Sequence, residues 1–318
     1  MRILLTGGLG VNGSWVLRRF IEDGHDVLVV ETRDDRSLIP DIADRVNVLV
    51  ADICDMSAMQ KAMSWGPDVV VHMAALVRKD TPPSAMVDVN IGGTAVICEA
   101  ASDAGVRRVV FASSRAAYGA LQGRYSHPDY VPIQEDHPKN PIVLYDIAKV
   151  ASESIGDWFA RERGLEFAAL RFATIFGPGK LQRHGGFSTY SSMIELSAAG
   201  QKVEIPQGGD ERDDLIYVAD AAEAVVAVSL APRPLAHNAY NIGSGTTVPL
   251  QALADAVKAA IPEASISIGP GLDPMGAKVS YYGALDSSRA YDEFGWKPKF
   301  SLEEAVRHYL AFLGASGM

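Results

Sequence analysis

The stretch Thr6-Gly7-Gly8-Leu9-Gly10-Val11-Asn12-Gly13 lies between an apolar run, Arg2–Thr6, and a segment with helical periodicity. It fits both Gly7-x-x-Gly10-x-x-Gly13 and Gly8-x-Gly10-x-x-Gly13. Between a strand and a helix, such glycines let the backbone approach a pyrophosphate, and the helix N-terminus offers free N–H groups. A purely structural glycine turn is the alternative. The context favours a dinucleotide site, with contacts from Gly7, Gly10, Val11, Asn12 and Gly13.

Short β-type runs alternate with helix-period segments up to about residue 175, as is typical of parallel strands joined by helical crossovers. The predicted strands are Arg2–Thr6, Asp26–Glu31, Asn47–Val50, Asp68–His72, Arg108–Ala112 and Glu166–Arg171, and the predicted helices lie at about 11–23, 56–64, 84–104 and 141–163. We therefore predict an α/β fold, a Rossmann-type doubly wound parallel sheet, over residues 1–175, to which later segments can add. Residues 176–318 would form a smaller, mainly substrate-binding C-terminal region.

Composition narrows the classes of partner. A chain of 318 residues with 48% hydrophobic content can bury one large core or two smaller ones. The net charge of −10, without any block of Lys and Arg, disfavours nucleic acid. Cys54 and Cys98 stand at no metal-ligand spacing, which predicts buried hydrophobes, no metal site and a reducing cytoplasm. We expect no signal peptide and no membrane segment, because no apolar run approaches about 18 residues.

Two acidic residues follow predicted strands. Glu31 ends the second strand, where dinucleotide-binding sheets place the carboxylate that accepts a ribose hydroxyl. A carboxylate there repels a 2′-phosphate, so NAD is favoured over NADP, although Arg33 and Arg36 could counteract it. Asp52 follows the third strand and could either reach the adenine or cap the next helix.

Tyr145-Asp146-Ile147-Ala148-Lys149 places Tyr145 and Lys149 on one face of a predicted helix. A tyrosine with a pKa of about 10 is a poor base at neutral pH. A lysine charge at roughly 4 Å could lower that pKa by at most about three units. The pair could then exchange a proton with a substrate. Ordinary solvated helix faces carry the same spacing, so the pattern gains weight only from its neighbours.

Further motifs follow in order along the chain. They are His72-Met73-Ala74-Ala75, Asn90-Ile91-Gly92-Gly93-Thr94, Phe111 to Gly119, Pro141-x-x-x-Tyr145-x-x-x-Lys149, Arg171 through Gly177-Pro178-Gly179, Asp214 to Asp220, Tyr240 to Gly245, and Gly295-Trp296-Lys297-Pro298. Together with the stretches above, they resemble the extended short-chain dehydrogenase/reductase family, the NAD-dependent epimerases and dehydratases. The resemblance covers nearly the whole chain and implies NAD as cofactor.

The resemblance also implies roles for single residues. Ser114 would hydrogen-bond the reacting hydroxyl or carbonyl, Tyr145 would act as base or acid, and Lys149 would hold the nicotinamide ribose and lower the pKa of Tyr145. His72 would be structural, and helices 84–104 and 141–163 would form core or a helix-bundle homodimer face. The other cofactor contacts would come from Ile53, Ala74, Ala75, Asn90, Ala112 and Phe172.

The chain departs from the family pattern at four positions. Dehydratases carry Asp-Glu after the catalytic Ser or Thr, but this chain has Arg115 and Ala116, which disfavours elimination of water. Nucleotide-sugar members usually carry an Asn where Thr174 stands. They carry a phosphate-binding Arg where Asp213 stands, with Arg212 one step earlier here. These differences weaken the case for a nucleotide-linked substrate.

Basic residues nevertheless favour a small, anionic substrate. Arg115 is either a solvated loop residue or a partner for a substrate carboxylate or phosphate. Residues in segments that line the substrate side in this family are Arg78, Lys79, Lys180, Arg183 and His184. The predicted substrate contacts are Arg78, Arg115, Thr174, Arg183 and Arg212.

Three functions fit these residues. The first is a (nucleotide-)sugar epimerase that uses NAD to oxidise and reduce one ring carbinol. The second is a dehydrogenase of a free sugar, a sugar acid or another small hydroxy compound. The third is a catalytically silent NAD-binding regulator, which the intact set of Ser114, Tyr145 and Lys149 disfavours. The family favours the epimerase.

Overall fold

The computed structural model describes residues 1–78, 80–184, 188–232 and 234–316. In this part of the chain the strands are β1 (Arg2–Thr6), β2 (Asp26–Glu31), β3 (Asn47–Val50), β4 (Val69–His72), β5 (Arg108–Ser114), β6 (Glu166–Phe172), β7 (Thr174–Phe176), β8 (Val203–Ile205), β9 (Arg212–Asp213), β10 (Leu215–Tyr217), β11 (Ala239–Ile242), β12 (Val248–Pro249) and β13 (Ile266–Ile268). The helices are α1 (Val11–Glu22), α2 (Met56–Met63), α3 (Pro83–Val87), α4 (Gly93–Asp103), α5 (Leu144–Arg163), α6 (Lys180–His184), α7 (Thr189–Ala198), α8 (Val218–Leu230), α9 (Leu250–Ala260), α10 (Ser288–Phe294) and α11 (Leu302–Ser316).

The central sheet of the described residues has seven strands in the order β11-β6-β5-β4-β1-β2-β3. Every neighbouring pair in it is parallel. After β3 the chain returns to the far side of β1 as β4, so the strand order reverses between β1 and β4. Open α/β sheets bind ligands at the carboxyl edge beside such a reversal. The predicted Rossmann-type α/β fold is confirmed.

Alternation along β1 explains how the sheet is covered on both faces. Ile3 and Leu5 belong to one hydrophobic cluster, which includes Phe20 of α1. Leu4 belongs to a second cluster, which includes Cys98 of α4. Successive strand residues point to opposite faces of the sheet. Because helices cover both faces, every residue of such a strand can be apolar and buried.

The strand β11 comes from beyond residue 176 and pairs with β6 at one edge of the central sheet. Its four residues were not among the predicted strands, because a short run after a loop with prolines carries a weak periodicity signal. The rest of the C-terminal part includes three two-stranded sheets, β10-β7, β12-β9 and β13-β8. The division at residue 175 stays a prediction.

The predicted helix at 84–104 is interrupted. A π-helical turn over Asp88–Gly92 separates α3 from α4. Gly93 begins α4 where a Cβ atom would lie only 2.6 Å from Cδ1 of Ile53, so the helix and the loop after β3 are in close contact. Single π turns are often found beside functional sites. In the described ranges, no helix has both the length and the apolar character that a bilayer span requires.

Candidate active site

The glycine loop between β1 and α1 is packed too tightly for side chains. Gly7 has a φ of 73°, and a Cβ atom there would lie 2.6 Å from the backbone nitrogen of Ala74. A Cβ on Gly13 would lie 2.0 Å from the carbonyl oxygen of Gly7. Gly10 is the N-cap residue of α1 and has no side chain to cap it. The loop therefore offers bare backbone at a helix N-terminus, the arrangement that suits a pyrophosphate.

A cleft of about 620 Å³ opens at this edge of the sheet. The predicted site residues that line it are Gly7, Gly10, Val11, Asn12, Gly13, Glu31, Asp52, Ile53, Ala74, Ala75, Ala112, Ser114, Arg115, Tyr145, Lys149, Phe172, Thr174 and Arg183. Segments that are far apart in the sequence thus meet in one cleft, as the motifs predicted.

Glu31 lies at the end of β2 and holds the glycine loop. One of its carboxylate oxygens accepts a hydrogen bond from the backbone N–H of Leu9 at 3.2 Å. Burial raises the pKa of Glu31, and the hydrogen bond from Leu9 opposes that shift. Arg36 donates to Asp34 at 2.7 Å and to the carbonyl of Ala43 at 2.6 Å, so its guanidinium is committed away from Glu31.

Asp52 does not cap the helix that follows it. Its side chain accepts a hydrogen bond from the backbone N–H of Cys54 at 2.9 Å. Asp55 is the cap of α2 and accepts from the backbone N–H of Ala58 at 3.2 Å. Of the two interpretations of Asp52, only the position in the cleft agrees with the structure.

Arg183 lies at the same end of the cleft as Glu31. Its guanidinium donates to Asp35 at 2.7 Å and to Ser37 at 2.9 Å, both in the loop after β2. Its charge also acts to lower the pKa of Glu31. Helix α6 brings Arg183 beside the β2 loop and into the cleft lining, and its contact with a substrate stays a prediction.

Three predicted contacts lie outside the cleft lining. Arg78 forms an ion pair with Asp80 at 2.9 Å, and its side chain is 61% exposed. Arg212 donates to the hydroxyl and the carbonyl of Thr247, because the pairing of β9 with β12 turns it that way. Asn90 is the third, and its side chain is buried. Lys79 and the side chain of His184 lie outside the described residues.

Asn90 and His72 form buried hydrogen bonds beside the cleft. The Asn90 side chain donates to the carbonyl of Leu76 at 2.9 Å and accepts from its N–H at 2.8 Å, so both of its polar groups are committed to that loop. His72 lies between the hydroxyls of Thr6 and Thr94, at 2.7 and 3.1 Å. Burial lowers the pKa of His72 to about 3, so its ring is neutral.

Ser114, Tyr145 and Lys149 line one end of the cleft. Ser114 ends β5, whereas Tyr145 and Lys149 lie one turn apart on α5. The Lys149 ammonium donates to the carbonyl of Ala112 at 2.6 Å and lies 5.5 Å from the centroid of the Tyr145 ring. A hydrogen bond between the side chains of Ser114 and Tyr145 favours the ionised phenol.

The pKa of Tyr145 does not follow the sequence expectation. Burial raises it to about 12, and the hydrogen bond with Ser114 only reduces that rise. Burial also lowers the pKa of Lys149 to about 8, with the charge of Glu153 opposing. The expected lowering by Lys149 fails because the ammonium lies over the phenol ring and is bonded to Ala112.

Glu153, which the sequence analysis missed, lies beside this site and is bonded to the strand that carries Ser114. It accepts hydrogen bonds from Ser113 at 2.6 Å, from Lys139 at 2.6 Å and from Arg171 at 2.8 Å. Burial raises its pKa, but these cations outweigh burial and lower it. Its spacing of four residues after Lys149 was the available signal, since both lie on one helix face.

Arg115 is neither solvated nor free for an anion. Its side chain is 8% exposed and forms a bidentate ion pair with Asp213, in which the second contact is 3.1 Å. Thr174 and Tyr190 also donate to Asp213, at 2.7 and 2.9 Å. The solvated alternative is therefore wrong, because four donors from three other segments enclose one carboxylate.

The loop before α10 adds a second feature that the sequence analysis missed. Met275, Ala277 and Tyr281 line the cleft. The Tyr281 hydroxyl donates to Asp146, next to Tyr145, at 2.9 Å. The loop is irregular, so no periodicity could have placed it. In the described part of the chain, no group of three or more His, Cys, Asp or Glu side chains is arranged to hold a metal ion.

Residues 3–243 match the NAD dependent epimerase/dehydratase family. The chain belongs to this family. It is thus an NAD-dependent enzyme of the extended short-chain dehydrogenase/reductase type, which confirms the resemblance drawn from the motifs.

Relatives within this family match the chain from end to end. A putative UDP-glucose 4-epimerase of Methanocaldococcus jannaschii is 29% identical, over 98% of this chain and 98% of that protein. The UDP-glucose 4-epimerase of Thermotoga maritima, solved with UDP-glucose, is 26% identical with a TM-score of 0.83, over 100% of both chains. The Bordetella bronchiseptica enzyme WbmG, solved with NAD and UDP, is 25% identical with a TM-score of 0.81, over 100% of this chain and 96% of that one.

Proposed function

We propose that this chain uses NAD to epimerise a secondary alcohol of a sugar, and that the sugar is nucleotide-linked. The observation that carries the proposal is that Ser114, Tyr145 and Lys149 share one cleft with the glycine loop. The reaction type is supported by the family and by similar proteins that are named UDP-glucose 4-epimerases.

The cleft fits NAD at its glycine end. The absent Cβ atoms of Gly7 and Gly13 leave the backbone open, and the N-terminus of α1 can receive the pyrophosphate. Glu31 would accept the adenosine ribose hydroxyls, and Asp52, Ile53, Ala74 and Ala75 line the neighbouring walls. When bound, NAD supplies the hydride chemistry, since its oxidised form accepts a hydride and its reduced form donates one.

The residues at the other end supply proton transfer and orientation. Tyr145 would take the proton of the reacting hydroxyl and later return it, and Ser114 would hold the same oxygen by a hydrogen bond. Lys149 would bind the nicotinamide ribose and favour the ionised phenol once its ammonium turns from Ala112. Arg115 and Ala116 carry no carboxylic acid that could protonate a leaving hydroxyl, so a dehydratase reaction is disfavoured.

A homodimer in the cytoplasm completes this proposal. Trp158 and Ile147 of α5 are each 44% exposed, and Val87 of α3 is 40% exposed. Apolar side chains that share an exposed helix face support pairing with a second copy through a helix bundle.

The cytoplasmic location is supported by the cysteines. Cys54 and Cys98 are free thiols, as is usual in a reducing compartment.

The second candidate is a dehydrogenase of a free sugar, a sugar acid or another small hydroxy compound. Asp213 favours it, because the carboxylate stands where nucleotide-sugar members carry an arginine for the diphosphate. Arg212 does not replace that arginine in the structure, since its guanidinium is bonded to Thr247.

The amount of sugar converted for each NAD, and the net formation of NADH, separate the two candidates. The protein with one equivalent of NAD is incubated with UDP-glucose or UDP-galactose, and the sugar products are quantified by NMR. An epimerase converts many equivalents of sugar with no net NADH absorbance. NADH formation on free sugars or sugar acids, without any epimer from nucleotide sugars, would establish the dehydrogenase instead. UDP competition at millimolar concentration would support a nucleotide-linked substrate.

A further inference from the structure

Lys180 is a buried cation in the wall of the cleft. It begins α6, its side chain is 7% exposed, and it lines the same cleft as Ser114 and Glu31. The ammonium donates a hydrogen bond to the carbonyl of Ile175. That carbonyl is a neutral acceptor, so the bond satisfies one N–H without balancing the charge.

The other cations of the cleft are balanced within the protein. Arg115 is paired with Asp213 and Arg183 with Asp35. Lys149 is attracted by Glu153, which acts to raise its pKa. Among the described residues, no carboxylate lies within ion-pair distance of Lys180.

An unbalanced ammonium in a buried site is energetically costly. Burial lowers the pKa of Lys180 to about 7. Proteins rarely retain such a group without a use, and buried ionisable groups in clefts are candidates for contact with a charged ligand. An anion that enters the cleft would supply the missing negative charge.

The local backbone fixes the position of Lys180 in the cleft wall. Gly179 has a φ of 87°, and its N–H donates to Glu195 of α7 at 3.1 Å. A Cβ at Gly179 would lie 2.8 Å from Cδ2 of Leu38, so the segment is pressed against the loop after β2. On the other side, Ile175 follows Thr174, which is bonded to Asp213. The segment that carries Lys180 therefore contacts the loop after β2 on one side and the strand of Thr174 on the other.

We propose that Lys180 binds a phosphate group of a ligand in this cleft. Two ligands carry that chemistry, the pyrophosphate of NAD and the diphosphate of a nucleotide-linked sugar, and the second source rests on the proposed function. Lysine binds phosphate as a point charge at the end of a flexible side chain, so its ammonium can approach a diphosphate from one side.

The test is the Lys180→Met variant, which keeps an unbranched side chain one atom shorter and removes its charge. Affinities for NAD and UDP are measured by calorimetry after removal of bound nucleotide, with adenosine and uridine as ligands without phosphate. The affinity for at least one phosphate ligand should fall roughly tenfold to a hundredfold, the usual range for a charged hydrogen bond. Affinities for the nucleosides should stay within about twofold.

Thermal stability without ligand distinguishes binding from a structural role. Loss of an unbalanced buried charge should leave the melting temperature unchanged or raise it, whereas loss of a structural bond to Ile175 would lower it. Lys202→Met is the matched control, because Lys202 is 62% exposed and paired with Glu204. If Lys180→Met does not fold, Lys180→Gln is measured in the same way.

Each result has one meaning. A loss confined to NAD assigns Lys180 to the cofactor, and a loss confined to UDP assigns it to the substrate. If the native protein binds NAD but not UDP, the nucleotide-linked substrate is wrong, and Lys180 is judged on NAD alone. Unchanged affinity for every phosphate ligand that the native protein binds, or a lowered melting temperature with unchanged affinity, would overturn the proposal.

Discussion

The guanidinium of Arg115 and the carboxylate of Asp213 form a bidentate ion pair in the wall of the cleft, directly beside Ser114. Thr174 and Tyr190 donate to the same carboxylate. The pair therefore balances its own charge and leaves no net cation at this point. It explains how an arginine can follow Ser114 without exposure to solvent.

Breaking this pair should destabilise the protein. Asp213→Ala leaves a guanidinium unpaired in a buried site, which costs about 3–5 kcal/mol of the free energy of unfolding. The double variant Arg115→Met, Asp213→Ala should cost less than the sum of the single variants, because the unpaired charge is gone. Urea denaturation of all four proteins measures both effects. Additive costs would show that the two side chains are not coupled.

The sequence predicted the parts of the site that depend on local spacing. Tyr145 and Lys149 are one helical turn apart, and the glycine loop follows β1 directly, so periodicity was sufficient to place them. The bounds of β1, β2 and β3 also agree with the predicted ones, and β1 and β2 end where the apolar run meets a polar or glycine residue.

The rest depends on contacts between distant segments. Arg115 and Asp213 are 98 positions apart, and no spacing rule connects an arginine after β5 with β9. Arg183 and Asp35 are likewise 148 positions apart, and only the packing of α6 against the loop after β2 joins them. The expected pKa of Tyr145 was wrong, because burial raises that pKa and the Lys149 ammonium is bonded to Ala112.

Tyr145→Phe tests the proposed proton transfer. The variant should lower turnover by at least about a hundredfold, the usual contribution of a positioned acid or base, with little change in NAD affinity. Because the pKa of Tyr145 is raised to about 12, activity of the native enzyme should increase with pH above neutrality as the ionised fraction grows. Steady-state rates from pH 6 to 10 are the measurement. Native-like turnover of the variant would remove Tyr145 from the mechanism.

Glu31→Ala tests the choice of cofactor. The native enzyme should have a higher kcat/KM with NAD than with NADP, since the carboxylate of Glu31 would repel a 2′-phosphate. The variant should narrow this difference, and Arg183 near the same position would then favour the added phosphate. Equal use of both cofactors by the native enzyme would show that a nearby arginine overrides Glu31.

His72 should make stability depend on pH. Its pKa is about 3 in the folded protein, against 6.5 as the ordinary value, so only the unfolded chain takes up a proton between these limits. Stability from the neutral ring is present above pH 6.5 and falls as the pH decreases, by about 1.4 kcal/mol per pH unit. His72→Gln should show a flatter curve between pH 6 and 4 in denaturation experiments. Parallel curves for the two proteins would contradict this assignment.

Trp158→Asp tests the proposed homodimer. Trp158 and Ile147 lie about three helical turns apart on α5, so they share one face, and both are 44% exposed. A carboxylate in the centre of an apolar interface costs several kcal/mol when it has no partner, and light scattering after gel filtration should therefore give the monomer mass for the variant. Tyr291→Asp on α10 is the matched control, since Tyr291 is 53% exposed but lies on another helix. It should keep the dimer mass. A monomeric native protein would overturn the proposed homodimer. A Trp158→Asp variant that stays dimeric would place the contact surface elsewhere.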